Sequence, residues 1–349
     1  MLGREGLGGV LINAQHNFAW ITCGSTNGID LSRENGAASI LLTESGKRYL
    51  LANNIEMPRM LAEEVSADDV EPFEYSWQDE KANGNVVIEM ATALCGGKVA
   101  SDYSIENKIA PCRYSLTADE IVRYRSLGSD AASVIQKIAK AASPGETEIE
   151  IAEKLRNELA MSDMTSVVTL VAADERIAQY RHPIPSAKRF EKTLLLVTCA
   201  KRGGLIVSLS RMISIGEVPS DLVQKTEATA FVNVQLLDTT RVGVTGSEFY
   251  KTAAKAYAEC GFEGEINRHH QGGAAGYKTR EWVAHPNSGE IVQENQAFAW
   301  NPSITGTKVE ETVLATSNGI EILTSSPSFP QIETVIDGRS YFSPGILSI

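Results

Sequence analysis

The chain has 349 residues, with 32 lysines and arginines against 44 aspartates and glutamates, a formal net charge of −12. Apolar residues at 43% and charged residues at 22% exclude disorder as the main state, and the length excludes a small stapled scaffold. The acidic balance argues against a nucleic-acid partner held by bulk charge.

No apolar run approaches the roughly 18 residues that a spanning helix needs, so no membrane partner is expected. The stretch MLGREGLGGVLINAQ lacks the apolar core of a secretory signal, being interrupted by Glu5 and Asn13. Five widely spaced cysteines, Cys23, Cys95, Cys112, Cys199 and Cys260, include no close pair. They predict reduced, mostly buried thiols in a cytoplasmic protein.

Strand-like and helix-like pieces alternate over the first hundred or so residues, an α/β pattern. Gly8 to Asn13 predicts a strand, and Ala38 to Thr43 with Arg48 to Ala52 predicts a hairpin across Glu44-Ser45-Gly46-Lys47. Asn54 to Glu64 has helical spacing, and Gly97 to Ser101 predicts another strand. Tyr114 to Glu120 reads as a boundary. Ser115 or Thr117 can cap a helix from Ala118 to Ala142, with Glu120 three residues after Thr117 as a capping-box partner, and Pro144-Gly145 stops it. Thr147 with Glu150 starts a second helix that runs to about Met161. Strands are then expected at Val167 to Ala172, Leu194 to Cys199, Leu205 to Leu209, Gln296 to Asn301 and Glu311 to Thr316. Ser220 can cap a helix from Asp221 to about Leu237, despite its β-rich Phe231 to Val234, and Gly246 to Cys260 predicts another. The mixture points to an α+β fold, a curved antiparallel sheet carrying helices on one face.

Five histidines can be weighed singly. His16 and His285 lie in polar surroundings and are expected at the surface. His182 sits between Arg181 and Pro183, on a loop that Pro183 and Pro185 hold extended. There it is either an acid or base or a hydrogen-bonded loop residue. The densest feature is His269-His270-Gln271-Gly272-Gly273-Ala274-Ala275-Gly276. Its glycines suit a tight turn between strands or close backbone approach to a ligand, and the spacing matches no dinucleotide or P-loop pattern. Lys308-Val309-Glu310-Glu311-Thr312 reads as a solvated strand end beside an apolar strand.

Taken together, SLTADEIVRYRSLGSDAASVIQKIAKAASPGETEIEIAEKL, HHQGG and KVEETVLATSNGIEILT resemble the family of methionine aminopeptidase, aminopeptidase P, prolidase and creatinase. The resemblance covers nearly the whole chain. It implies a creatinase-like small domain over 1–113 and a pita-bread domain over 114–349. Active metallopeptidases of this family hold two divalent ions on two aspartates, one histidine and two glutamates, because paired dications need bridging carboxylates to offset their charge. The histidine matches His270 and the last glutamate Glu310. The other three ligand positions hold Val197, Ser208 and Asn301. The expectation is therefore that no cofactor is used and divalent metal is absent.

The resemblance then implies a metal-independent hydrolase or lyase of C–N bonds, of creatinase type, acting on a small amino-acid-like or dipeptide-like molecule. His182, His270 and Glu310 would be catalytic. Arg33, Arg280, Glu281 and His269 would bind substrate, with Arg33 reaching the carboxylate from the partner subunit of a homodimer. One alternative is an inactive peptidase fold used as a binding or scaffold protein, as in a histone-chaperone subunit domain. A further alternative is a Xaa-Pro-type metallo-aminopeptidase with atypical ligands on His270 and Glu310.

Overall fold

The computed structural model describes residues 2–349. The chain divides into two compact units, Met1–Arg113 and Tyr114–Ile349.

The first unit is built on a mixed five-stranded sheet. Its spatial order is Glu71–Tyr75, Arg48–Asn53, Asn35–Thr43, Gly9–Ala14 and Val99–Ser101. The hairpin forms as expected, and the two outer strands join in parallel. Gly9–Ala14 is apolar but for Asn13 because both faces are covered. Val10 and Ile12 pack with Phe18, Ile40 and Leu50, while Leu11 packs with Leu41, Leu51 and Ala91. The helical stretch expected at Asn54 to Glu64 is shorter, one α turn at Met57–Arg59 that widens into a π turn at Met60–Glu64.

Two expectations are corrected in this unit. His16 is not a surface residue: its side chain is 12% exposed, and its ring nitrogens lie 3.4 Å from Glu106 and 3.8 Å from Glu34. The acids that pair with it are distant in sequence, so the local polar context gave no sign of them. The free cysteines are also less buried than expected. Cys23 and Cys112 are exposed, Cys95 and Cys260 half-buried, and Cys199 buried.

In the second unit the local signals are clear in the structure. Helix Ala118–Ala141 starts at Thr117, whose Oγ1 accepts from the Glu120 amide at 3.3 Å while the Glu120 carboxylate accepts from the Thr117 amide at 2.8 Å. Helix Glu148–Met161 repeats the arrangement with Thr147 and Glu150. Helix Ser220–Thr239 begins one residue early, so Ser220 lies inside it and makes no cap. Its β-branched Val232 and Val234 stay helical because Val232, Leu236 and Leu237 are buried against Phe249, and tertiary burial outweighs propensity. Helix Gly246–Glu259 packs beside it.

Two sheets carry these helices. One has the order Trp282–Val283, Gly272–Ala275, Gln296–Trp300, Glu311–Thr316, Gly319–Ile322, and every pairing in it is antiparallel. The other has the order Ile346–Ser348, Leu205–Ser214, Thr193–Arg202, Thr165–Ala173. They meet along a seam. The Ser210 amide donates to the Glu310 carbonyl at 3.1 Å. The Ser208 amide donates to Thr312 Oγ1 at 2.7 Å, and that hydroxyl donates back to the Ser208 carbonyl at 2.9 Å.

The stretch after His270 is a buried strand, Gly272–Ala275, and not a turn. Its glycines make room for the neighbouring strands. A Cβ on Gly272, whose φ is +108°, would fall 2.1 Å from the Ala299 carbonyl oxygen. One on Gly273 would fall 2.0 Å from the Trp282 carbonyl oxygen. Among the described residues no helix is long and apolar enough to cross a membrane.

Candidate active site

Three chain segments converge at the seam of the second unit. The first is the loop after helix Arg176–Gln179, which carries His182. Pro183 and Pro185 keep it extended, and Arg181 fastens it: its guanidinium donates to Ser303 Oγ at 3.2 Å and Thr305 Oγ1 at 2.9 Å and pairs with Glu265. The second segment carries His269 and His270 into strand Gly272–Ala275. Gln271 holds it, taking a 2.6 Å hydrogen bond from the buried Tyr257 hydroxyl, which itself accepts from the Ser303 amide at 2.9 Å. The third segment is Lys308 to Glu310, placed against Ser210 across the seam.

A cavity of about 130 Å³ opens between them, lined by Val168, Leu170, Val197, Cys199, His182, His270, Thr279, Arg280, Asn301, Lys308 and Glu310. Its wall is apolar and its floor is charged. Lys308 Nζ lies 3.0 Å from Glu310 Oε2, and Arg280 Nη2 lies 3.2 Å from Glu310 Oε1. The side chains of Lys308 and Glu310 are 5% and 3% exposed, that of Arg280 13%. Burial alone would raise the Glu310 carboxyl, but the two cations outweigh it and hold Glu310 below its usual range.

The histidines line the mouth. His269 Nε2 and His182 Nε2 are 3.1 Å apart, and the His269 and His270 rings stack at 4.4 Å. All three are held as neutral imidazole near pH 7. Burial, then Lys308, pushes His269 down to about 2. Desolvation by its neighbours, then Arg280 and Lys308, pushes His270 down to about 4. His182 is lowered by burial and Lys308 as well. Cys199 is no thiolate nucleophile: burial, then Glu310, pushes its thiol up, and its Sγ sits 3.2 Å from Ser208 Oγ.

His182, His270, Glu310 and Arg280 therefore share one cavity, with His269 beside it. Glu281 does not line it; its amide donates to the Ala274 carbonyl at 2.7 Å. Arg33 lies in the first unit, 73% exposed, paired with Asp30 at 3.1 Å. Sequence reading passed over Lys308 and Cys199. Lys308 is two residues before Glu310 in an extended run, a spacing that puts both side chains on one face, and that signal was available. Cys199 shows only once the hairpin register sets it opposite Ser208.

Comparison with known proteins now bears on this site. The chain matches the family described as "Metallopeptidase family M24" over residues 123–317. It is 26% identical over 194 residues to the Xaa-Pro dipeptidase of Pyrococcus horikoshii, covering 52% of this chain and 54% of that one, so it spans about half the length of that curated relative in the alignment. In structure it is similar to the prolidase from Pyrococcus horikoshii OT3, with a TM-score of 0.76 at 20% identity, covering 93% of this chain and 96% of that one. It is also similar to the N-terminal domain of FACT complex subunit SPT16 from Cicer arietinum, with a TM-score of 0.69 at 10% identity, covering 93% and 92%.

The fold is thus the pita-bread fold of the prolidase and aminopeptidase P group. The chain belongs to the M24 metallopeptidase family, a family of hydrolases.

That membership corrects one expectation. The reading that metal is absent rested on lost carboxylates, but the family matched over most of the second unit is one of metallopeptidases. The error was to treat the five-residue set as the sole route to an ion. The donors do not fit a two-ion centre. The hairpin register sets Val197 and Ser208 diagonally on one face, Asn301 is neutral, and Glu310 is engaged by two side-chain cations. A different donor group is present: His182, His269 and His270 offer ring nitrogens that all lie within 4.8 Å of one another. Three neutral imidazoles suit a single ion with an open position.

Proposed function

We propose that the chain is a hydrolase of C–N bonds in small dipeptide-like molecules, of the Xaa-Pro dipeptidase kind with an atypical ligand set. The observation that carries this reading is the convergence of His182, His270 and Glu310 on one small cavity of the family fold. The likeness to a Xaa-Pro dipeptidase supports the substrate class.

In this reading His182, on its stiff loop and neutral near pH 7, takes and returns the proton of the attacking water and leaving nitrogen. His270 hydrogen-bonds the scissile carbonyl. Glu310, fixed between Lys308 and Arg280, orients the substrate from the floor. An ion, where bound, would be held by His182, His269 and His270 in place of those proton and hydrogen-bond roles, and would supply Lewis-acid polarisation. The reading includes a homodimer in the cytoplasm, with Arg33 of the second copy reaching the substrate.

The test is turnover of a panel of Xaa-Pro and Xaa-Ala dipeptides, with manganese, cobalt or zinc added and the bound metal measured by elemental analysis. At least one dipeptide is hydrolysed, and His182→Ala lowers kcat by about 100-fold or more. Absence of hydrolysis under every supplement, or undiminished turnover by His182→Ala, overturns the reading.

A further inference from the structure

The donors that fail a two-ion centre leave a different question, which ion the three histidines suit. Of the three, only His270 stands at one of the five ligand positions of the family. His182 and His269 are additional donors. The ring nitrogens of the group all lie within 4.8 Å of one another. His182 Nε2 and His269 Nε2 are 3.1 Å apart. An ion bonded to two imidazoles at roughly 2.0–2.1 Å, at an angle between square and tetrahedral, sets their nitrogens roughly 3.0–3.4 Å apart. That pair is therefore already spaced for one ion. His270, stacked on His269 with ring centres 4.4 Å apart, closes on the same point by side-chain rotation. His269 Nδ1 is buried with no hydrogen-bond partner, so the ring is poorly served by the protein alone.

The backbone that carries these rings is fixed. Glu148 is fully buried, and its carboxylate accepts from the Ala173 amide at 2.8 Å, Arg176 Nε at 2.9 Å, the Ser186 amide at 2.8 Å and the Ser186 hydroxyl at 2.7 Å. These donors stand before and after His182, so one carboxylate closes the loop that presents it. Gln271 and Tyr257 hold the segment of His269 and His270 in the same way. An ion entering such a site has little chain to order.

The donor chemistry then selects the ion. Among the described residues this group holds three imidazoles and no carboxylate. Magnesium and manganese favour oxygen donors, whereas zinc, cobalt and nickel bind imidazole well. Charge works in the same direction. Lys308 and Arg280 flank the single carboxylate of Glu310, which leaves one positive charge in excess beneath the histidines. An ion is held there against the local field, by donor strength and not by charge. A second ion would meet that same field with no free carboxylate to bridge it to the first.

We propose that His182, His269 and His270 form a single-ion centre that takes zinc, cobalt or nickel and rejects manganese and magnesium, in place of the two-ion centre of the family. The inference deepens the hydrolase reading by naming the ion, and rests on that reading only for the ion's use in turnover.

The test uses the metals alone. The protein is stripped with a chelator, dialysed, and titrated by calorimetry with zinc, manganese and magnesium chlorides. One equivalent of zinc binds, at least a hundredfold tighter than manganese. His182→Gln, His269→Gln and His270→Gln each weaken zinc tenfold or more. Lys308→Met removes a repelling charge, leaves Arg280 paired with Glu310, and tightens zinc threefold or more. The visible spectrum of the cobalt-loaded protein changes in His269→Gln. Thermal melts of the stripped variants separate a lost ligand from a lost fold, and a variant that melts early is replaced by its asparagine counterpart. Unchanged zinc affinity in His269→Gln, manganese binding as tightly as zinc, or two equivalents that His270→Gln removes together overturns the inference. A protein that binds one zinc but cuts no dipeptide loses the hydrolase reading and keeps this one. Hydrolysis sustained by two manganese ions does the reverse.

Discussion

Lys308 shows how a single side chain changes the reading of a site. Beside Glu310 it turns an expected ligand carboxylate into one arm of a buried ion cluster, and it adds to the burial that lowers His269 and His270. The sign of that lowering gives a pH prediction. A histidine whose folded pKa lies below its unfolded value contributes stability above the unfolded pKa and loses it as pH falls toward the folded one. For His270 the window runs from the ordinary 6.5 down to about 4. The melting temperature of the protein should fall on acidification across that window, and His270→Gln should fall less. Circular-dichroism melts at half-unit steps of pH check it. The histidines were legible in the sequence because only five compete for attention, whereas Glu310, one of many glutamates, stood out only through the family resemblance. The meeting of Arg280 with Glu310 was not, since it depends on a loop and a strand 30 residues apart.

At the level of elements, what was legible followed the range of the interaction. Both capping boxes are set by residues three apart, and the helices they start begin where the pattern placed them. Strand Gly272–Ala275 was misread because its glycines answer to Ala299 and Trp282, on strands that the local sequence does not reveal. That close approach makes a sharp prediction. Gly273→Ala should destabilise the protein by about 1–3 kcal/mol through overpacking. Gly272→Ala should cost more, because its φ of +108° adds backbone strain to the clash. Denaturant midpoints for the two variants measure both. Unaltered midpoints would mean that these strands separate more easily than their packing implies.

For the whole molecule, the family match over residues 123–317 lies within the second of the two units. The second unit encloses a buried ion pair. Arg211 and Glu311 are almost fully enclosed at 3.0 Å, and the guanidinium also donates to the Thr324 carbonyl at 2.9 Å and Ser326 Oγ at 3.0 Å. Burial pushes the Glu311 carboxyl up to about 7 despite Arg211. A raised folded pKa contributes stability below the unfolded value near 4.5 and loses it as pH rises through 7. Arg211→Met, which strands the carboxylate, should therefore cost about 3–5 kcal/mol at pH 8 and clearly less at pH 5, as read from denaturant unfolding. The seam beside this pair has a consequence of its own. The two sheets are joined there through one threonine hydroxyl and a few amides, not through a full ladder. The Arg211–Glu311 pair also crosses the junction, from strand Leu205–Ser214 to strand Glu311–Thr316. The cavity spans that junction. Its shape is thus set by how the two sheets meet and not by either sheet's own ladder, so a substitution at the seam can alter the site while every helix and strand persists.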